Sequence, residues 1–174
     1  MKIVHLTSKG MMIVDFKVRN MKPKDIKQVQ DIAQTSWHAT YEGIIPREIQ
    51  DKFLKMAYND DMIKRRLKQS IMFVAEVEGK IVGFANYTPV NQDGRTELTA
   101  IYLYPDYQGK GIGTALLEEG IQRLNGVQEI HLNVEKNNRI GMNFYEAKGF
   151  REVSEFDDDF DGHILKTVRM VLKV

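Results

Sequence analysis

Residues 97–124 change character across a single glycine-rich turn, and that change limits what the chain can fold into. Glu97-Leu98-Thr99-Ala100-Ile101-Tyr102-Leu103 has the composition of a strand and is closed by Tyr104-Pro105-Asp106. Residues 115–124 carry apolar side chains at Leu116, Leu117, Ile121 and Leu124, the spacing of a helix with one buried stripe. Between them stands Gln108-Gly109-Lys110-Gly111-Ile112-Gly113-Thr114. Three glycines let the backbone turn tightly and approach a ligand closely, and the first amides of the following helix have no partner inside it. Free N–H donors and the positive end of the helix dipole then point the same way, which suits a phosphate or pyrophosphate. Lys110 adds a mobile positive charge.

Two familiar phosphate patterns do not fit this run. The P-loop needs four residues between its first glycine and Gly-Lys-Ser/Thr, and no such run is present. The dinucleotide fingerprint needs a wider final spacing than Gly109-Lys110-Gly111-Ile112-Gly113 provides, and needs it earlier in the chain. Gln-x-x-Gly-x-Gly does fit, as Gln108, Gly111 and Gly113. A second pattern follows the short strand Leu132-Asn133-Val134: Asn138, Phe144, Tyr145, Gly149 and Phe150, in order.

With both motifs in sequence, the chain resembles the GNAT superfamily of acetyl-coenzyme A-dependent N-acetyltransferases, from about residue 13 to the C-terminus. Gly141 stands where the family pattern has alanine. That exchange costs helix stability by about 1 kcal/mol and removes no functional group.

Bulk properties bound the reading. A chain of 174 residues is one ordinary domain, long enough to bury about 70% of its unfolded surface. Its 25 basic and 24 acidic residues nearly cancel, so charge gives no support for nucleic-acid or membrane-surface binding. With no cysteine there is no disulfide, thiolate metal site or cysteine acyl-enzyme. The histidines, at 5, 38, 131 and 163, lack metal-ligand spacing. Asp157-Asp158-Asp159-Phe160-Asp161-Gly162 invites a calcium-loop reading, which fails because the twelfth position is Val168 rather than glutamate. No metal site is expected. The acidic run reads as a solvated hairpin turn, or as negative charge that draws a cationic amine towards the site. Apolar runs are too short for a membrane span and the N-terminus lacks a signal-peptide core, so a cytoplasmic protein is the expectation.

Residues 1–11 read as an N-terminal extension and residues 12–174 as a single domain. A strand is expected over 13–19, then helices from about Ile26, over 47–57 and over 60–69. A hairpin turns at Glu78-Gly79, and two final strands flank the acidic turn. Periodicity alone supports only an α/β or α+β domain. The resemblance implies the GNAT fold: the order β-α-α-β-β-β-α-β-α-β-β, a mixed central sheet of about six to seven strands with helices on both faces. It also implies a splayed central strand pair that admits the cofactor's pantetheine arm.

It further implies acetyl-CoA as co-substrate, held by the strand residues Ile101, Tyr102 and Leu103, by Gln108, Gly109, Lys110, Gly111, Ile112, Gly113 and Thr114 around the pyrophosphate, and by Asn138 and Tyr145. Asn138 equally suits a helix N-cap. Acetyl transfer to an amine needs a base, an oxyanion donor and an acid for the leaving thiolate. Glu97 is the expected base, on a face shared with Thr99, Ile101 and Leu103, where desolvation would strengthen it; the alternative is a solvated strand-end glutamate. Tyr145 is the expected acid, the alternative being a core aromatic. Trp37, Tyr41 and Tyr87, with His38 beside them, are candidate acceptor-pocket residues, although Trp37 and Tyr41 stand i, i+4 and would also pack together.

The implied reaction is direct transfer of acetyl to a primary amine. Residues 36–67 resemble bacterial polyamine acetyltransferases, which points to a polyamine or other small amine. A protein N-terminus or lysine stays open as acceptor, and a non-catalytic acyl-CoA sensor stays open as a different class. Dimers are common in the family, so a homodimer is a further expectation.

Overall fold

Strand β4 (Arg95–Leu103) and strand β5 (Glu129–Glu135) run parallel but pair only over Arg95, Thr96 and Glu97, opposite Glu129, Ile130 and His131. Beyond Glu97 the two strands part, and the edge of β4 that faces β5 is left without a ladder. Every other neighbour in the sheet is antiparallel.

The computed structural model describes residues 14–174. The expected 1–11 extension and the start of the expected first strand lie outside the described residues. Strand β1 covers Lys17–Asn20. Three helices follow, α1 (Ile26–Tyr41), α2 (Arg47–Ala57) and α3 (Asp60–Gln69), one more than the implied order. Strands β2 (Ile71–Val77) and β3 (Lys80–Tyr87) form the expected hairpin. Its turn residues Glu78 and Gly79 both have positive φ, which matches the turn to the strand twist. After β4 come α4 (Ile112–Arg123), β5, α5 (Arg139–Ala147), β6 (Arg151–Phe160) and β7 (His163–Lys173). The seven strands lie in the order β1-β2-β3-β4-β5-β7-β6.

Each face of the sheet buries its own core. Val29, Ile32, Ala33 and Trp37 of α1 and Leu54 of α2 pack on Met72, Val74, Phe84 and Ala100. On the other face Ile112, Leu116 and Leu117 of α4 and Met142 of α5 pack on Phe73, Ala85, Tyr87, Leu132 and Met170. Gly120 gives the second core its closest approach, since a β-carbon there would stand 2.4 Å from the Tyr87 ring. A glycine inside a helix normally weakens it; here it makes room for an aromatic ring.

No helix among the described residues is long and apolar enough to cross a membrane. Among the same residues no group of three or more His, Asp or Glu could hold a metal ion.

Candidate active site

The parting of β4 from β5 opens a cleft of about 430 Å³ lined from four directions. Leu98 to Leu103 of β4 form one wall, Asn133 and Val134 of β5 the opposite one, the glycine turn and the start of α4 one end, and α5 one side. Ser36, Trp37, Thr40 and Tyr41, at the end of α1, close the far end.

The glycine turn closes its end of the cleft with free backbone donors. Gly109 and Gly111 have φ of +72° and +82°, conformations that L side chains rarely adopt. The first helical bond of α4 runs from Ala115 N to Gly111 O, so the amides of Ile112, Gly113 and Thr114 precede the ladder and stay free as donors. Gly113 carries a second constraint, because a β-carbon there would lie 3.2 Å from the Phe144 ring. Gln108, Gly109, Gly111, Gly113 and Thr114 all line the cleft. The side chains of Lys110 and Ile112 do not: Ile112 is fully buried in the core, and the Lys110 ammonium lies 5.5 Å from the Tyr107 ring centroid. Ile112 offers only its amide.

Three phenols gather where the strands part. Tyr41, Tyr102 and Tyr145 all line the cleft. Burial pushes the pKa of each above the ordinary tyrosine value, and their mutual proximity adds to it for Tyr41 and Tyr145. All three therefore keep their protons at neutral pH. Tyr145 is held edge-on between Phe144 and Phe150, each with a ring centroid 5.5 Å away. Asn138 is the helix N-cap, its Oδ1 accepting from Gly141 N at 3.0 Å, and its side chain also lines the cleft.

Glu97 differs from expectation. The β3–β4 register places Asn86 opposite Ala100 and Tyr87 opposite Leu98, so Thr99 is an inserted bulge residue. The bulge reverses the alternation. Glu97 therefore faces the α1 side with Ala100 and Tyr102, not with Ile101 and Leu103. Arg169 of β7 grips its carboxylate with both terminal nitrogens and also donates to Asn133 Oδ1 at 3.2 Å. The side chain is 40% exposed, so the expected desolvation is absent, and the lining of the cleft begins one residue later, at Leu98.

The acceptor-side expectations divide. Trp37 and Tyr41 line the cleft and pack together, with ring centroids 4.5 Å apart. Tyr87 does not belong there. It is fully buried on the opposite face, its hydroxyl 3.4 Å from the Leu116 and Leu117 carbonyls, because β3 alternation sends it towards α4. His38 also points away, to Asp51 at 2.7 Å in a separate surface groove. The sequence reading missed Phe53 and Phe160, stacked on Trp37 at 4.3 and 6.0 Å, because their approach depends on how α2 and the β6–β7 hairpin fold over α1. Asn133, Ile140 and Lys148 line the cleft and were likewise missed. Their neighbourhood to the two motifs was the only available signal.

A splayed strand pair, a turn with free helix-start amides and a half-buried phenol between them make a cleft suited to an acyl-coenzyme A thioester. The family comparison makes the assignment specific. The model of the acetyltransferase (GNAT) family matches residues 27–150, and the chain belongs to that family. It is an N-acetyltransferase with acetyl-CoA as donor. An N-acetyltransferase of Bacillus subtilis is 34% identical over 157 residues, covering 87% of this chain and 89% of that protein. The spermidine N(1)-acetyltransferase of Thermoplasma acidophilum is 28% identical over 155 residues, covering 84% and 95%. Among solved structures, the PaiA N-acetyltransferase of T. acidophilum in complex with coenzyme A superposes with a TM-score of 0.79 at 24% identity, over 92% of this chain and 99% of that one.

Proposed function

We propose that the chain acetylates a primary amine of a small molecule, with a polyamine as the leading acceptor class. The observation that carries this is the single cleft in which the α4 amide cradle, the parted edge of β4 and the Tyr145 hydroxyl meet an aromatic wall at the end of α1. Acetyl-CoA supplies an activated thioester. The free amides of Ile112, Gly113 and Thr114 bind its pyrophosphate, and the unpaired edge of β4 from Thr99 to Leu103 orients the pantetheine arm. Tyr145 holds a proton ready for the departing sulfur. Glu97 takes the amine proton through water, its orientation fixed by Arg169. Glu97→Gln is expected to lower turnover by at least tenfold with cofactor affinity unchanged; equal turnover would reassign Glu97 to a purely structural pair with Arg169.

Two features support a polyamine. Relatives covering most of this chain are spermidine acetyltransferases. The acidic hairpin also borders the acceptor end through Phe160. On its outer face Glu155 and Asp157 are neutralised by Lys136 and Lys166, and Asp161 is held by Lys52. Asp158 shares the face of Leu165, on the α1 side, and has no ion pair among the described residues. It is free to attract a cation. Thiol release from acetyl-CoA across spermidine, spermine, aminoglycosides, amino acids and N-terminal peptides tests the reading. Turnover confined to polyamines supports it, and turnover confined to peptides or aminoglycosides replaces the acceptor class.

A further inference from the structure

Coenzyme A extends beyond its pyrophosphate into an adenosine whose ribose carries a 3′-phosphate, and the site described so far leaves that end without a partner. Helix α5 presents Ile140, Phe144 and Lys148 at i, i+4 and i+8, so the three share one stripe, and all three line the cleft. The stripe starts apolar. Ile140 is 66% exposed on the rim of the cleft. Its middle abuts the phosphate cradle, since the Phe144 ring lies 3.2 Å from the point a Gly113 β-carbon would occupy. It ends in a cation: the Lys148 ammonium lies 5.8 Å from the Phe144 ring centroid, on the same ring that borders Gly113. Lys148 has no ion pair among the described residues. The Phe144 ring thus has the glycine turn on one side and the Lys148 ammonium near it, within the same cleft.

We propose that Lys148 binds the 3′-phosphate of the donor, with Ile140 and Phe144 as the apolar floor under its nucleoside. This rests on the acetyl-CoA reading and adds a selectivity to it. The chain discriminates coenzyme A from its 3′-dephospho form through one side chain, whereas the α4 amides treat the two alike.

Calorimetric titration of the full chain with coenzyme A and with 3′-dephospho-coenzyme A tests the assignment without any turnover. Wild-type protein is expected to bind coenzyme A about five- to tenfold more tightly, with the difference shrinking in high salt. Lys148→Gln should bring coenzyme A down to the dephospho affinity and leave the dephospho affinity within twofold. Lys110→Gln, whose side chain lies outside the cleft lining, should leave the difference between the two nucleotides unchanged. Equal wild-type affinities, or a Lys148→Gln loss shared by both nucleotides, would overturn the role of Lys148 while leaving the cofactor site intact. Failure of both nucleotides to bind would remove the cofactor site, and the assignment with it.

Discussion

Gly141 lies directly beneath the side chain of Asn138: a β-carbon at 141 would stand 2.6 Å from the Asn138 amide nitrogen and 3.0 Å from its Cγ. The glycine that departs from the family pattern therefore permits the folded-back pose in which Asn138 caps α5 and lines the cleft. Gly141→Ala should gain about 1 kcal/mol of helix propensity and lose a cap bond of similar size, about 1 kcal/mol. The melting temperature is expected to stay nearly constant while coenzyme A affinity changes by several-fold as Asn138 is displaced. A clear rise in melting temperature with unchanged affinity would show that the pose has no role.

Tyr145 yields a kinetic prediction. Loss of a positioned general acid costs about 10²–10⁴-fold, so Tyr145→Phe should lower kcat by that order and leave coenzyme A affinity within twofold, because the ring contacts with Phe144 and Phe150 remain. Burial holds the hydroxyl pKa above the ordinary tyrosine value of about 10. The acid therefore stays protonated at neutral and mildly alkaline pH. The wild-type rate should show no loss attributable to Tyr145 below pH about 10, measured at saturating acceptor.

Acid stability should report on Arg19. Burial opposes ionisation of Asp25, but the hydrogen bonds from Arg19 and the Lys22 amide outweigh it and lower the pKa. Glu76 is lowered chiefly by its bond to Arg19. Both folded values lie below the unfolded ones, so this stabilisation is fully present above pH about 4 and is lost as pH falls through the folded values. Denaturant unfolding from pH 7 to pH 2 should show that decline, and Asp25→Asn should flatten it at a cost of about 3 kcal/mol at neutral pH. An unchanged acid slope would mean the cluster contributes nothing.

The Tyr87–Gly120 contact predicts a packing defect. Gly120→Ala forces a methyl group into the Tyr87 ring, and overpacking of this kind costs about 1–3 kcal/mol despite the better helix former. Tyr87→Phe removes only the long contacts to the Leu116 and Leu117 carbonyls and should cost less. Stability measured for both variants should rank them in that order.

The elements that were plain in the sequence are those where local pattern and tertiary role agree. Helices α2 and α3 lie where the apolar spacing places them, and Glu78-Gly79 turns the hairpin with the positive φ its residues favour. The glycine turn was readable for the same reason, since Gly109 and Gly111 adopt the positive φ that glycine favours. Glu97 and Tyr87 were misplaced because strand alternation was carried through the bulge at Thr99 and because β3 buries both of its faces, which leaves no polar side to mark the cleft. The aromatic wall around Trp37 joins residues from α1, α2 and the β6–β7 hairpin, a meeting that no local period encodes.

Mass spectrometry of an amine incubated with the chain and acetyl-CoA tests the central claim most directly. The account predicts a singly acetylated product from spermidine or a related amine, formed only when the chain is present and nearly abolished by Tyr145→Phe. Acetyl-CoA that binds in the cleft yet acetylates no amine from any class would contradict it.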